Sequence, residues 1–336
     1  MYFIESDSKD AAFYFSVEEY FMYRINAPLV MIWQTSPCVM LGRYQVAAAE
    51  INMDYAKQEN IQIVRRSSGG GTIFTDEGTF LYTVIGTGLN PQEAKEAVAD
   101  LVIKTLGKLN LSAELRGRND ILIFGRKISG IAQHSQNGYL CSHGSILYSA
   151  DLETLTRVLR VDDEKIRTKA IRSVRCRVGN LRDYSENPYS TEEFKTLFRE
   201  NFFARFNPKQ YVLTGRDYEI INQIRGEKYA NTSWTFGSSP KFSFRSSRRF
   251  DNGRLEIHLD ILKGNIEACN IFGDFLGIIP IQSLENHLVG KMFSYQSLDD
   301  ALDGISLEQH LGGITKEQFL SCVFDGYTKQ QSVSEL

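Results

Sequence analysis

Strands that follow one another without helices between them restrict a chain's topology, and residues 61–85 are such a stretch. IQIV (61–64) has the apolar, β-branched character of a strand and delivers the chain to RRSSGGG (65–71). TIF (72–74) and TFLYTVI (79–85) then read as two strands around an Asp-Glu-Gly turn. The same habit recurs at LVMIW (29–33) and CVMLG (38–42), parted by a Ser-Pro turn, and at ILIF (121–124), KISGIA (127–132) and YLCSHGSILY (139–148). The SQNG turn (135–138) makes the last two a hairpin. No regular strand–helix–strand beat is present, which predicts an α+β (mixed α/β) fold with a mixed β-sheet.

Helices are predicted where local signals agree. Phe13, Val17, Tyr20 and Phe21 share a helical face over residues 11 to about 24. Asn90, Pro91 and Glu93 open a helix in the manner of a capping box, as do Ser190 and Glu193, and Thr315 with Gln318. The character changes near residue 236. FGSSPKFSFRSSRRFDNG (236–253) reads as a linker ending in a turn, followed by a hairpin, RLEIHLDI (254–261) and IEACNIFG (266–273). A division near residue 245 follows, giving domains 1–245 and 246–336.

Composition narrows function by exclusion. The 336 residues carry a net charge of −3, so no global basic field points to nucleic acid. No apolar run is long enough to span a bilayer, and MYFIESDSKD lacks a signal-peptide pattern. Five scattered cysteines form no CxxC pair and no zinc spacing, which fits a reducing cytoplasm.

Four segments can carry chemistry. In RRSSGGG, glycine N–H groups and an arginine fork suit an anion; the plain alternative is a tight turn with two solvated arginines. RGRNDILIFGRKISG (116–130) sets Lys127 beside the small residues Ser129 and Gly130, where an ammonium can face a phosphate or a developing oxyanion. Alone it would pass for an exposed hairpin lysine. Asn119 and Asp120 read as a turn cap or as ligand contacts. In YLCSHGSIL (139–147), His143-Gly144 hints at close approach of a ligand, while Cys141 raises thiol catalysis. KAIRSVRCRVGNL (169–181) is either a cover over an anion or a solvated surface.

Taken together and in order, GRYQ (42–45), RRSSGGGTIF (65–74), GRNDI (117–121), GRKISGIA (125–132), SHGSIL (142–147) and SVRCRVGNL (173–181) resemble lipoate–protein ligase. WTFGSSPKF (234–242) and RLEIHLDILKGNIEACNIFGDF (254–275) extend the resemblance through a linker and a small C-terminal domain. It implies the biotin/lipoate ligase fold and a reaction in two steps. Lipoate attacks the α-phosphate of ATP, normally with Mg²⁺, to give lipoyl-adenylate. A lysine of an apo lipoyl domain then takes the acyl group. The implied partners are 2-oxoacid dehydrogenase E2 subunits and the glycine-cleavage H protein.

The resemblance also implies site residues. Lys127 is the catalytic lysine, touching both the lipoate carboxyl and the α-phosphate. ATP or adenylate would meet Arg66, Gly71, Thr72, Ile73, Phe74, Asn119 and Asp120. Lipoate would meet Ser68, Gly69, Gly70, Ser129, Gly130 and His143; Asn119 and Asp120 would lie near the nucleotide or its metal, whose ligands the resemblance leaves open. The chain departs from the family at Thr75 and Thr79, which replace a histidine and an asparagine, and at Ser142. Two other readings stay open. One is an octanoyl or lipoyl transferase with Cys141 as thioester nucleophile. The other is a non-catalytic lipoyl-adenylate binder.

Overall fold

The computed structural model describes residues 1–45, 47–88, 90–159, 178–185, 188–236, 244–262 and 264–331. Two compact units emerge, and each is taken by itself. The first comprises Met1–Leu41, Ala47–Ser67 and Thr72–Thr235.

Among the described residues the first unit holds eleven strands: β1 (Tyr2–Ile4), β2 (Leu29–Trp33), β3 (Cys38–Leu41), β4 (Gln62–Arg65), β5 (Ile73–Thr75), β6 (Thr79–Thr87), β7 (Glu114–Arg116), β8 (Asp120–Ile123), β9 (Arg126–Gln136), β10 (Tyr139–Leu147) and β11 (Lys209–Gln210). Eight form a sheet in the order β11-β1-β2-β6-β10-β9-β8-β7. The β1 pairings are parallel and the others antiparallel, so the sheet is mixed as predicted. β3, β4 and β5 make a separate small sheet. The two strands read around the Asp-Glu-Gly turn therefore part: β5 joins β3, while β6 joins the large sheet.

Both faces of the large sheet are covered. Val30, Ile32, Phe80, Tyr82, Ile131 and Ile146 face a core shared with helices Pro91–Gly107 and Thr191–Phe206. Leu29, Met31, Trp33, Leu81 and Ile85 face helix Ala11–Tyr20. Local signals set the helix starts. Asn90 accepts from the Gln92 and Glu93 N–H groups, and Ser190 closes a capping box with Glu193. The first helix runs on into a π-turn, Phe21–Ile25, ended by Asn26 at φ 50°.

The second unit comprises Phe236–Leu336 with two earlier segments, Gly42–Val46 and Ser68–Gly71. Its sheet has three strands, β12 (Phe244–Phe250), β13 (Gly253–Leu262) and β14 (Asn265–Gly273). The stretch read as a linker thus supplies the edge strand β12. FRSSRRF hides its strand character because an edge strand leaves most side chains in water, and charge there discourages further pairing. Thr315 and Gln318 exchange backbone and side-chain bonds, which opens the helix Lys316–Gln331 as predicted. Among the described residues no helix is long and apolar enough to cross a membrane.

Candidate functional site

Register places the central residues. β9 pairs with β10 so that Gly130 faces Ser145, Ala132 faces His143 and His134 faces Cys141. Side chains alternate along a strand, so these six positions share one face. Lys127 lies over the same face: its Cε and Nζ are each 3.0 Å from where a Gly130 Cβ would stand. A register shift near Ile121 and Leu122 marks a bulge opposite Lys127. The Lys127 ammonium is 2.7 Å from Asp120 Oδ1, with the two side chains 35% and 38% exposed. Gly130 and Ala132 are half-buried, so a strip of small residues runs from the ammonium toward His143.

His143 ends that strip as part of a polar network. Its Nδ1 is 3.1 and 3.2 Å from the two Glu18 carboxylate oxygens. Thr83 Oγ1 donates to Glu18 Oε1 (2.7 Å), and Trp33 Nε1 donates to Thr83 (3.1 Å). The Glu18 carboxylate thus fixes the orientation of the ring at the end of the strip. Sequence reading missed Glu18. Its signal was an acid between Phe15 and Met22 on the apolar stripe of a helix, since all three are buried.

Cys141 Sγ lies 4.0 Å from His143 Nδ1, on the shared face that alternation predicts. The thiol is fully buried, and burial together with Glu18 pushes its pKa well above the usual thiol range. A thiol held protonated is a poor nucleophile, which speaks against the thioester reading. Glu18, Cys141 and His143 form a group whose ligand atoms lie within 4.8 Å of one another among the described residues. Its sulfur and nitrogen do not fit Mg²⁺, which takes oxygen ligands.

The arginine pair splits its duties. Arg65 donates from Nε and Nη2 to Thr235 O (3.0 and 2.7 Å), and from Nε to Trp234 O (3.1 Å). Trp234 Nε1 returns a bond to Arg65 O (2.9 Å). Arg65 is therefore a structural clamp. Arg66 is buried, donates from Nη1 to Met40 O (2.9 Å), and has its pKa lowered to about 10 by burial and by Arg65. A desolvated guanidinium of that kind gains from an incoming anion.

The other residues singled out in the sequence divide by location. Within the second unit, a side chain on Gly69 would fall 2.4 Å from Phe275 O, Gly70 sits at φ 87°, and the Gly70 N–H bonds Phe275 O at 2.9 Å. Gly71 is open, and Ser68 is fully buried. In the first unit, Thr72 and Ile73 are half-buried, whereas the Phe74 ring fills the core of the small sheet. The Asn119 amide donates to Ile131 O (2.7 Å) and ties the β8 approach to β9. Ser129 lies on the face opposite Gly130, with its hydroxyl buried beside Tyr82, and does not join Lys127 and His143. The basic segment 169–181 lies outside the described residues as far as position 177. Beyond it, Gly179 donates to Lys127 O (3.1 Å).

Comparison with known proteins decides the family. Residues 10–203 match the lipoyl protein ligase A/B catalytic domain, and residues 239–323 match the bacterial lipoate protein ligase C-terminus. A relative from Bacillus subtilis, lipoate-protein ligase LplJ, is 36% identical over 96% of this chain and 100% of its own. The chain belongs to the lipoate–protein ligases. It is accordingly a ligase. Lipoate–protein ligase 1 of Staphylococcus aureus is 33% identical over 90% of each chain. Among solved structures, the P. falciparum LipL1 complex with lipoate shares the fold at a TM-score of 0.74, with 20% identity over 98% of this chain and 99% of its own. A bipartite lipoate protein ligase from Thermoplasma acidophilum, studied with its E2 lipoyl domain, gives 0.64 at 25% identity over 72% of this chain and 98% of its own.

The ligase's departures after the glycine run prove to be internal. Thr75 is buried and shares a 2.8 Å hydroxyl bond with Thr35. Thr79 is buried and donates to Asp76 Oδ1 (3.1 Å), whose other oxygen accepts the Asp151 N–H (2.7 Å). Thr75 thus ties the end of β5 to the β2–β3 turn, and Thr79 holds the β5–β6 connection together.

Proposed function

We propose that this ligase activates lipoate with ATP at the Lys127 face and then passes the lipoyl group to a lysine of an apo lipoyl domain. The observation that carries the reading is the Lys127 ammonium standing over Gly130 at one end of a small-residue strip, with His143 at the other. A chain bound along that strip would have its carboxylate at the ammonium and its far end at His143.

The first step joins two anions. A lipoate carboxylate oxygen attacks the α-phosphorus, the new acyl–phosphate bond forms, and pyrophosphate leaves with the electron pair. Lys127 contacting both groups offsets their repulsion and holds them in register. Arg66 supplies a second positive charge, with Gly71, Thr72 and Ile73 next to it in the chain. Asp120 releases Lys127 when the substrate anions arrive. Gly69 and Gly70 shape the loop, Asn119 braces β9, and Phe74 packs the small sheet. Mg²⁺ is assigned to the ATP phosphates, as part of the substrate.

In the second step the acceptor amine attacks the carbonyl carbon, AMP leaves with the electron pair, and the amine proton passes to solvent. Lipoyl domains of 2-oxoacid dehydrogenase E2 subunits and the glycine-cleavage H protein are the proposed acceptors, in the cytoplasm. Catalysis is assigned to residues 1–245, with 246–336 as an accessory domain. Mass spectrometry of apo acceptor domains incubated with ATP and either lipoate or octanoate tests the proposal. A lipoyl adduct on one lysine, formed only with ATP, is expected. An adduct formed without ATP, or none on any acceptor, would overturn it.

A further inference from the structure

The hairpin that delivers Lys127 breaks a local rule which the neighbouring hairpin obeys. β9 and β10 are joined by Asn137-Gly138, at φ 50° and 74°. β8 and β9 are joined by Phe124-Gly125, at φ 48° and 76°. Two positive-φ residues make the favoured two-residue hairpin turn, for which Asn-Gly is the preferred pair. A bulky aromatic in the left-handed region costs about 1–2 kcal/mol. Burial does not offset that cost, because Phe124 is 81% exposed, with its ring 5.7 Å from that of Tyr184. A strained, exposed aromatic with so little folded-state compensation marks a surface kept for another purpose.

Its surroundings are basic. Residues 114–130 carry Arg116, Arg118, Arg126 and Lys127 against Glu114 and Asp120. Arg116 and Arg126 are exposed, as are Arg182 and the neighbouring Asp183 next to Tyr184, and Arg116 lies 3.9 Å from Glu114, so the basic groups remain in excess. Asp120 is already engaged by Lys127.

We propose that Phe124, with Arg126 beside it and the exposed Arg116 and Arg182, is the docking surface for the acceptor domain, a small folded protein that presents acidic groups around its target lysine. The inference rests on the reading of Lys127 as the site of the activated carbonyl. Phe124 is three residues from Lys127, at most about 11 Å along the chain. An acceptor lysine that reaches the carbonyl brings its own domain surface to this rim. The ring supplies a desolvated anchor, and the arginines supply steering and register.

Phe124→Asn tests this, because asparagine relieves the turn while removing the ring. The variant is expected to keep or raise its thermal midpoint and to keep wild-type lipoate-dependent ATP–pyrophosphate exchange. Its KM for an apo E2 lipoyl domain should rise at least tenfold in the transfer step. Arg126→Glu should raise the same KM and flatten its salt dependence. Wild-type transfer by both variants would overturn the proposal. So would a self-association of the protein that Phe124→Asn abolishes while transfer stays intact. Failure of pyrophosphate exchange in the wild type would instead strike the reading of the Lys127 face.

Discussion

Lys127 Nζ rests 2.7 Å from Asp120 Oδ1 while its Cε lies 3.0 Å from where a Gly130 Cβ would stand. One short strand turn thus sets both the charge of the lysine's partner and the space beneath its side chain. The absent Cβ at Gly130 lets the ammonium lie flat on the sheet.

Replacing Gly130 tests that geometry. In Gly130→Val the new Cβ comes closest to the flexible end of Lys127, with Asp120 Oδ1 next at 3.9 Å, and valine suits a strand. The fold should persist, with a melting midpoint within a few degrees (~1 kcal/mol) of wild type. Adenylation kcat/KM for lipoate should fall at least tenfold, about 1.4 kcal/mol. Calorimetry beside pyrophosphate exchange separates the two outcomes.

The adjacent arginines should respond differently. Arg65→Ala strips bonds to the buried Thr235 and part-buried Trp234 carbonyls and should cost about 1.5–3 kcal/mol of stability, with the ATP KM little changed. Arg66→Ala should raise the ATP KM severalfold or more. Denaturant melts and ATP titrations of both variants check the division, which equal effects on both readouts would refute.

The difference between these arginines was not legible in the sequence. It depends on Trp234 and Thr235, distant in the chain but adjacent to Arg65 in the fold. Features set by near neighbours were legible: the Asn90 and Ser190 caps, the Asn137-Gly138 hairpin, and the face shared by Cys141 and His143. β12 escaped because arginine and serine on an edge strand carry no alternating apolar signal. Glu18 escaped because a helix pattern shows which face is apolar and not which polar residue meets another strand. Thr75 and Thr79 read as changes at a ligand, yet their hydroxyls bond inside the chain.

His134 gives a pH signature. Burial, then His143 and Lys228, push its pKa well below the ordinary histidine value near 6.5. The folded state binds this proton less readily than the unfolded state, so stability falls as pH drops below about 6.5 toward the depressed folded value. One such group contributes at most about 1.4 kcal/mol per pH unit. Unfolding free energies between pH 7.5 and 5.5 should fall less steeply in His134→Leu than in wild type. Identical slopes would refute the assignment.

Cys141→Ala separates ligase from thioester chemistry. The variant loses a buried sulfur and about 1–2 kcal/mol of packing, while ATP-dependent lipoylation should stay within severalfold of wild type. Complete loss of transfer in a folded protein would restore the cysteine route.

The most direct test of the central claim is lipoate-dependent ATP–pyrophosphate exchange in Lys127→Ala. Removing a charge that acts on the reacting groups should lower the rate by about 10²–10³, with the fold retained by circular dichroism. Exchange at near the wild-type rate would contradict the role assigned to Lys127.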